Sequence, residues 1–283
     1  MVVSCQKGWI ALDIDGTVTL DKFSVPQEVI DFLRGLQALG WGIVFATGRS
    51  FAFASKALSK LQFDHVVLAQ NGSIALEMPT GKILFKKEIP SAHIALVEEC
   101  CRELGNDILV YSGYERGDFC FWRPERFSKE GLAYVQLIQQ REHEKWKTVD
   151  SFQDVEVGSP PLIKCFGDKE QMDLATRRFM ASGQFQVARI RDPFVEGVYL
   201  LLVTDKRASK GESLLELFRL KGRGEMVIAA GDDENDLPLL EVADLKIAMA
   251  HAPECLKKVA DLIAPPTKDL GIIEALKSCL KRQ

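Results

Sequence analysis

A chain of 283 residues, 47% hydrophobic and 27% charged, has the composition of an ordinary soluble globular protein. At roughly 100–200 residues per domain it is long enough for one large or two modest domains. A formal net charge of −4 argues against a nucleic-acid or anionic-membrane surface as the main partner, so an anionic substrate has to be held by local groups.

The seven cysteines are odd in number and lack metal-type CxxC spacing, and Cys100-Cys101 are adjacent. This usage fits small buried thiols in a reducing cytosol better than a disulfide framework. The stretch Met1-Val2-Val3-Ser4-Cys5-Gln6-Lys7 lacks the regions of a signal peptide. No apolar run approaches the ~20 residues of a spanning helix. A soluble, cytoplasmic protein without nucleic-acid or membrane partners is expected.

Residues 9–15 predict a buried strand that ends on two carboxylates. Pro26 opens a helix whose apolar face is Val29, Ile30, Phe32, Leu33, Leu36 and Leu39, and Gly40 closes it. Residues 41–46 are a second strand running into Thr47-Gly48-Arg49-Ser50. A helix with Phe53, Ala57, Leu58 and Leu61 inward follows, and then a third strand, 65–69, ending at Gln70-Asn71-Gly72. Strand, helix, strand, helix, strand with short links means a parallel sheet. In such sheets the active groups lie at the C-terminal ends of the strands.

After the turn Pro79-Thr80-Gly81 the rhythm changes. Helices are expected over 91–104, 129–141 and 169–181. Strands are expected over 107–111, 118–122, 162–166, 185–190 and 197–203, with a turn at Asp192-Pro193. Paired strands between helices suggest an α+β unit with a largely antiparallel sheet, inserted as residues 82–204 into a core made of 1–81 and 205–283. The core then resumes. Lys210-Gly211 leads into a helix, a strand over 226–230 runs into Gly231-Asp232-Asp233-Glu234-Asn235-Asp236, and another strand spans 245–249. Helices at 253–259 and 269–280 complete the chain.

Asp13 and Asp15 stand two residues apart, so in a strand their side chains point the same way. Carboxylates that close repel unless a cation or a proton lies between them. Asp232, Asp233 and Asp236 end another strand and can join the same crevice. Oxygen ligands of this kind suit Mg²⁺ better than zinc, which prefers His or Cys. By itself the second cluster is equally well a solvated loop with a helix cap. Thr47, with the backbone N–H groups of Gly48 and Arg49 at a helix start, is either an anion site or a plain N-cap. Lys210, also at a helix start, opposes the helix dipole unless an anion or carboxylate faces it. Asn71 is either a turn residue or a phosphate donor.

Taken in order, Asp13-Ile14-Asp15-Gly16-Thr17, Thr47-Gly48-Arg49, Lys210 in Ser-Lys-Gly and Gly231-Asp232-Asp233-Glu234-Asn235-Asp236 strongly resemble the four motifs of the haloacid dehalogenase-like (HAD) superfamily. The inserted unit resembles the C2B cap of Cof-type sugar phosphatases, including those similar to mannosyl-3-phosphoglycerate phosphatases. Asn71-Gly72 and Ile247-Ala248-Met249…Ala252-Pro253 are also similar to Cof-type sequences. Val18-Thr19 and Asp269-Leu270-Gly271 depart from the pattern away from the motif residues.

The resemblance implies an α/β fold with a Rossmann-like parallel-sheet core and an inserted α+β cap. It implies a Mg²⁺-dependent phosphatase acting on a small phosphomonoester, such as a sugar phosphate, through an aspartyl-phosphate. Asp13 is then the nucleophile and Asp15 the acid and base, kept protonated by its acidic surroundings. The metal falls to Asp13, the Asp15 backbone carbonyl, Asp232 and Asp236. Phosphate contacts fall to Thr47, Gly48, Arg49, Asn71, Lys210 and Asn235. A phosphosugar mutase similarly uses the DxDGT pair, and a non-catalytic binding protein could keep the fold. In the insertion, Arg123, Arg189, Arg191 and Glu196 are candidates for reading the leaving group, and Phe119-Cys120-Phe121-Trp122 reads as cap core.

Overall fold

A computed structural model describes residues 7–19, 21, 23–142, 145–154, 157–192 and 195–281. The chain starts with β1 (Gly8–Asp13), buried along its whole length as a central parallel strand must be. Pro26 precedes α1 (Gln27–Ala38), which buries Val29, Ile30, Leu33 and Leu36. Gly40, at φ 94°, then turns the chain into β2 (Trp41–Ala46), a conformation glycine adopts without strain. Next come α2 (Phe51–Ala57) and β3 (His65–Ala69). A single 3₁₀ turn, Gln70–Gly72, reverses the chain into β4 (Ile74–Met78), followed by β5 (Lys82–Lys86).

The helix expected over 91–104 is a 3₁₀ turn at Ser91–His93 followed by α3 (Ile94–Cys100). It stops early because Glu103 and Gly105 take left-handed conformations, φ 69° and 77°, that no α-helix accommodates. Then follow β6 (Leu109–Tyr111), β7 (Phe119–Trp122), α4 (Lys129–Glu142), β8 (Lys145–Thr148) and β9 (Leu162–Gly167). The next helix, α5 (Lys169–Ser182), has a complete capping box between Asp168 and Gln171 and a left-handed Gly183 at its end. Strands β10 (Phe185–Arg191) and β11 (Tyr199–Asp205) come next. Pro193, in the turn expected between them, lies outside the described residues.

The last third is α6 (Lys210–Lys221), β12 (Met226–Gly231), α7 (Leu237–Glu241), β13 (Leu245–Met249), α8 (Glu254–Val259), β14 (Leu262–Ala264) and α9 (Gly271–Leu280).

Two compact units result. One comprises Met1–Arg49, Ala54–Phe85 and Ser209–Gln283, the other Ser50–Phe53 and Lys86–Ala208. The first is built on an eight-stranded sheet in the order β14-β13-β12-β1-β2-β3-β4-β5. The run from β14 to β3 is parallel and β4 is antiparallel to β3. One face of the sheet, with Trp9, Ala11, Val44, Leu68 and Ala229, packs on Leu214 and Leu217 of α6, Leu239 and Leu240 of α7 and Leu256 of α8. Each such aliphatic side chain, fully buried, contributes roughly 1.5–3 kcal/mol.

The second unit holds a six-stranded sheet, β10-β11-β9-β6-β7-β8, antiparallel except for β7 beside β8. On one face Ile163, Cys165, Leu201 and Val203 pack with Val97 of α3 and Met172 and Phe179 of α5. On the other, Leu109, Tyr111, Leu162 and Leu202 pack with Tyr134, Val135 and Ile138 of α4. Cys120 and Phe121 are buried as expected of core. Among the described residues no cysteine forms a disulfide, and no helix is long and apolar enough to cross a membrane.

Candidate active site

The first unit's strand register brings the motifs together. Asp13 pairs with Ala46, the last residue of β2, and Leu12 pairs with Ala230, one residue short of the end of β12. The segments leaving β1, β2 and β12 therefore start side by side at the C-terminal edge of the sheet, where side chains of all three can meet.

Lys210 is the first residue of α6, behind the N-cap Ser209, whose side chain accepts from Glu212 N–H. Gly211 lets the helix come close: a Cβ there would lie 2.1 Å from the carbonyl oxygen of Pro238. Lys210 is fully buried, and its ammonium donates to Asp13 Oδ1 and to Asp236 Oδ1, each at 2.5 Å. Burial works against the charge of Lys210, but the Asp13 and Asp236 carboxylates outweigh it and hold the amine above its ordinary value. A cation at a helix start is thus explained by the two anions that face it.

The acids around it are crowded. Ligand oxygens of Asp13, Asp232 and Asp236 all lie within 4.8 Å of one another. Burial first, then the charge of Asp236, pushes the Asp13 carboxyl well above the usual range, with Lys210 pulling it back. Burial followed by Asp236 and Asp233 raises Asp232 in the same way, and burial takes Asp233 up to about 6. One lysine does not balance this group, and a divalent cation does.

The donor set discriminates among the three. Asp236 is spoken for: Oδ1 takes Lys210, and Oδ2 accepts from the backbone N–H of Asp232 at 2.9 Å and of Asp233 at 3.2 Å. Asp13 Oδ2, by contrast, is buried without a hydrogen-bond partner. All donors are hard oxygens, as Mg²⁺ prefers. The residues fit such an ion through Asp13 and Asp232, with Asp236 holding the loop in place.

Asp15 departs from expectation. Beside its acidic neighbours Asp13 and Asp232 it meets Arg49, whose Nε and Nη2 donate to Oδ2 and Oδ1 at 2.8 and 2.6 Å. Such a bidentate fork is the strong form of this contact. The side chain of Arg49 thus holds the Asp15 carboxylate through Nε and Nη2. Thr47 also differs, because α2 begins only at Phe51 and Thr47–Arg49 is loop. The Arg49 N–H donates to Thr47 Oγ1 at 3.1 Å, so it is not the helix-start anion donor expected. Gly48 is half-buried in that loop.

Asn71 sits in a strained turn in which Gln70, Asn71 and Gly72 take φ values of 51°, 56° and 90°. The turn is held by Asn71 N–H to Thr47 O and Gln70 N–H to Arg49 O, both at 2.8 Å. Asn71 Oδ1 and both amide atoms of Gln70 are buried without partners, which is costly unless a ligand completes them. Asn235 lies half-buried in the turn Glu234–Asp236.

Among the expected leaving-group readers, Arg123 is buried between Glu98 and Asp107 with its guanidinium 4.1 Å over the Phe152 ring. It serves the packing of the second unit. Arg189 pairs with Asp173, and Arg191 and Glu196 are exposed. Two neighbours of the site escape sequence reasoning. Thr267 Oγ1 donates to the Gly16 carbonyl, and His251 Nε2 lies 3.0 Å from Asp232 Oδ2. The second had a signal, a histidine just past the end of a parallel strand; the first had none.

With this geometry in view, comparison with known proteins is decisive. A family described as haloacid dehalogenase-like hydrolase matches residues 10–276. The chain belongs to the haloacid dehalogenase-like hydrolases. A phosphoglycolate phosphatase of Methanopyrus kandleri is 27% identical over 273 residues, 96% of this chain and 97% of that protein. Among solved structures, a subclass IIB sugar phosphatase of the superfamily aligns with a TM-score of 0.77 at 22% identity, covering 96% of this chain and 98% of that one. A haloacid dehalogenase-like hydrolase of Bacillus subtilis aligns equally well, at 0.77 and 22%, over 95% and 99% of the two chains. The fold is the α/β core of this family with a second, inserted mixed sheet, its cap domain. This hydrolase is a phosphatase of the haloacid dehalogenase type, a phosphoric monoester hydrolase acting on a small phosphorylated metabolite.

Proposed function

We propose that this phosphatase works by covalent catalysis at Asp13 in the presence of Mg²⁺, on a substrate of the sugar-phosphate class. The observation that carries this is the division of labour on one carboxylate: Lys210 fixes Asp13 Oδ1 at 2.5 Å while the buried Oδ2 is left without a partner. A nucleophile needs one such bare, oriented oxygen.

In the first half-reaction Asp13 Oδ2 attacks phosphorus. The bond from phosphorus to the leaving oxygen breaks, and Asp15 gives that oxygen its proton. In the second, water attacks phosphorus of the acyl phosphate, Asp15 accepts a proton from it, and inorganic phosphate departs with Asp13 restored. The Arg49 fork on Asp15 suits the ionised carboxylate and hence the base half of the cycle. Lys210, Thr47, Gly48, Asn71 and Asn235 hold phosphoryl oxygens or the loops that do, so catalysis is largely positioning and charge neutralisation. The Asp13 and Asp232 carboxylates and the Asp15 carbonyl would hold Mg²⁺, which would supply positive charge to offset the crowded carboxylates and the phosphoryl oxygens.

A second substrate, phosphoglycolate, is favoured by the near full-length relatives of that name in Methanopyrus kandleri and Methanothermobacter thermautotrophicus, at 27% and 26% identity. Measuring kcat/KM over hexose, pentose and triose phosphates and phosphoglycolate separates the two, with the highest value expected on a sugar phosphate. Borohydride reduction during turnover tests the covalent step. It converts an aspartyl-phosphate at position 13 to homoserine, which mass spectrometry detects, and its absence under saturating substrate overturns the mechanism. Inorganic phosphate released without isomerised product excludes a mutase.

A further inference from the structure

The acids of the site have different keepers. Lys210 holds Asp13 and Asp236, and the backbone amides of Asp232 and Asp233 hold the remaining oxygen of Asp236. Neither reaches the Asp232 side chain. Among the described residues its one hydrogen-bond partner is His251, whose Nε2 stands 3.0 Å from Oδ2. Against an ionised carboxylate the ring nitrogen is the donor.

The same oxygen is pressed from the other side. A Cβ on Gly16 would fall 2.2 Å from Asp232 Oδ2 and 3.0 Å from His251 Nε2, so the backbone of the Asp13–Thr17 turn, Asp232 and His251 converge on one point. His251 comes from the turn that follows β13, closed by Ala252 N–H to Met249 O at 2.9 Å. Its side chain is half exposed, so the contact does not arise from core packing.

We propose that His251 is a positioning residue for the divalent cation: by donating to Asp232 Oδ2 it clamps that carboxylate against Gly16 and leaves its other oxygen to face the ion. The inference rests on the metal reading of the site proposed above. Partners that orient a metal ligand typically govern 10–100-fold in affinity.

The test is Mn²⁺ binding to the full chain stripped with EDTA, followed by electron paramagnetic resonance of the free ion, for the wild type, His251→Ala and His251→Gln. Glutamine carries an N–H donor at a reach similar to that of Nε2. The expected result is Mn²⁺ binding weakened 10–100-fold in His251→Ala and restored to within about threefold of wild type in His251→Gln. Wild-type affinity in His251→Ala overturns the proposal, and so does equal weakening in both variants, which marks a need for the ring and not for its donor. If the wild type itself binds no Mn²⁺, the metal reading fails and takes this inference with it.

Discussion

Lys210 Nζ stands 2.5 Å from Asp13 Oδ1 although 197 residues separate the two in sequence. The contact joins the start of the chain to the segment that returns after the inserted domain, and it neutralises part of a buried acidic group. Lys210→Met removes the cation that, among the described residues, pairs with Asp13 and Asp236, and leaves both carboxylates buried. Stripping one partner from a buried pair costs about 3–5 kcal/mol, so urea denaturation is expected to show a loss of that order. Turnover should fall by at least ~10²–10³-fold, as when an oriented electrostatic donor is lost. Asp13→Asn keeps a partner for Lys210 but removes the nucleophile, so it should reach background activity with little loss of stability. Normal kcat in Asp13→Asn would sink the covalent mechanism.

The acids predict how the metal-free protein responds to pH. The Asp233 carboxyl, ordinarily near 3.8, is raised to about 6 in the fold, chiefly by burial. Between these values the folded state binds more protons than the unfolded one. The contribution of Asp233 is therefore fully present below about 4 and is lost as pH rises through about 6. It amounts to on the order of 2–3 kcal/mol across the window. Denaturation in EDTA at pH 4.5, 5.5 and 6.5 should show this slope for the wild type and a shallower one for Asp233→Asn. Equal slopes would place the proton uptake elsewhere.

The raised Asp13 and Asp232 carboxyls predict a linked effect on the metal. Their burial, and then the charge of Asp236, favour protons that a cation has to displace, so metal binding releases protons and tightens with rising pH. Calorimetric titration of Mg²⁺ between pH 5.5 and 7.5 should show rising affinity and proton release measurable in buffers of different ionisation enthalpy. Affinity independent of pH would mean that the ion binds away from these acids.

How far the sequence reveals the site follows from its chemistry. In a parallel sheet every strand's C-terminal loop opens on the same edge, so Asp13, Thr47 and Asp232 can be brought together on paper from strand pattern alone, whereas Lys210 follows a strand of the other sheet and is signalled only by a cation at a helix start. The extension of the sheet by β4, antiparallel to β3, and by β5 beyond it is hidden, because nothing in residues 74–78 distinguishes a hairpin return from the start of a new domain. Strand β8, Lys145–Thr148, is largely exposed and lacks the apolar run that flags a strand. Local rules also mislead at Thr47, where a cap-type residue precedes loop and not helix. The Arg49 fork on Asp15 and the His251 contact with Asp232 are choices of side-chain direction between distant segments, and no spacing rule encodes them.

Gly72 tests how much strain the site tolerates. It sits at φ 90° beside the two left-handed residues before it, and an added Cβ would lie 2.4 Å from the carbonyl oxygen of Ser209 and 2.8 Å from Ser213 Oγ. Ser213 Oγ donates to the Gly72 carbonyl at 2.5 Å, so the neighbour cannot simply move off. Gly72→Ala should cost at least about 1–3 kcal/mol. Because the same turn carries Asn71, KM should rise with it. Unchanged stability and KM would show that the turn is not tied to substrate binding.

Arg49 separates two accounts of one residue. From sequence it belongs to the phosphate contacts; in the fold its guanidinium grips Asp15 through two hydrogen bonds. Loss of a general acid–base carboxylate costs ~10²–10⁴-fold, the expected range for Asp15→Asn in kcat. If Arg49 acts through Asp15, Arg49→Ala lowers kcat alone but adds little in the Asp15→Asn background. Arg49→Lys then fails to rescue, because an ammonium cannot reproduce the planar fork. If Arg49 instead holds phosphate, its cost persists undiminished in the Asp15→Asn background, appears mainly in KM, and is partly relieved by lysine. A double-mutant cycle on kcat and KM decides between the two, since only residues that act as a unit depart strongly from additivity.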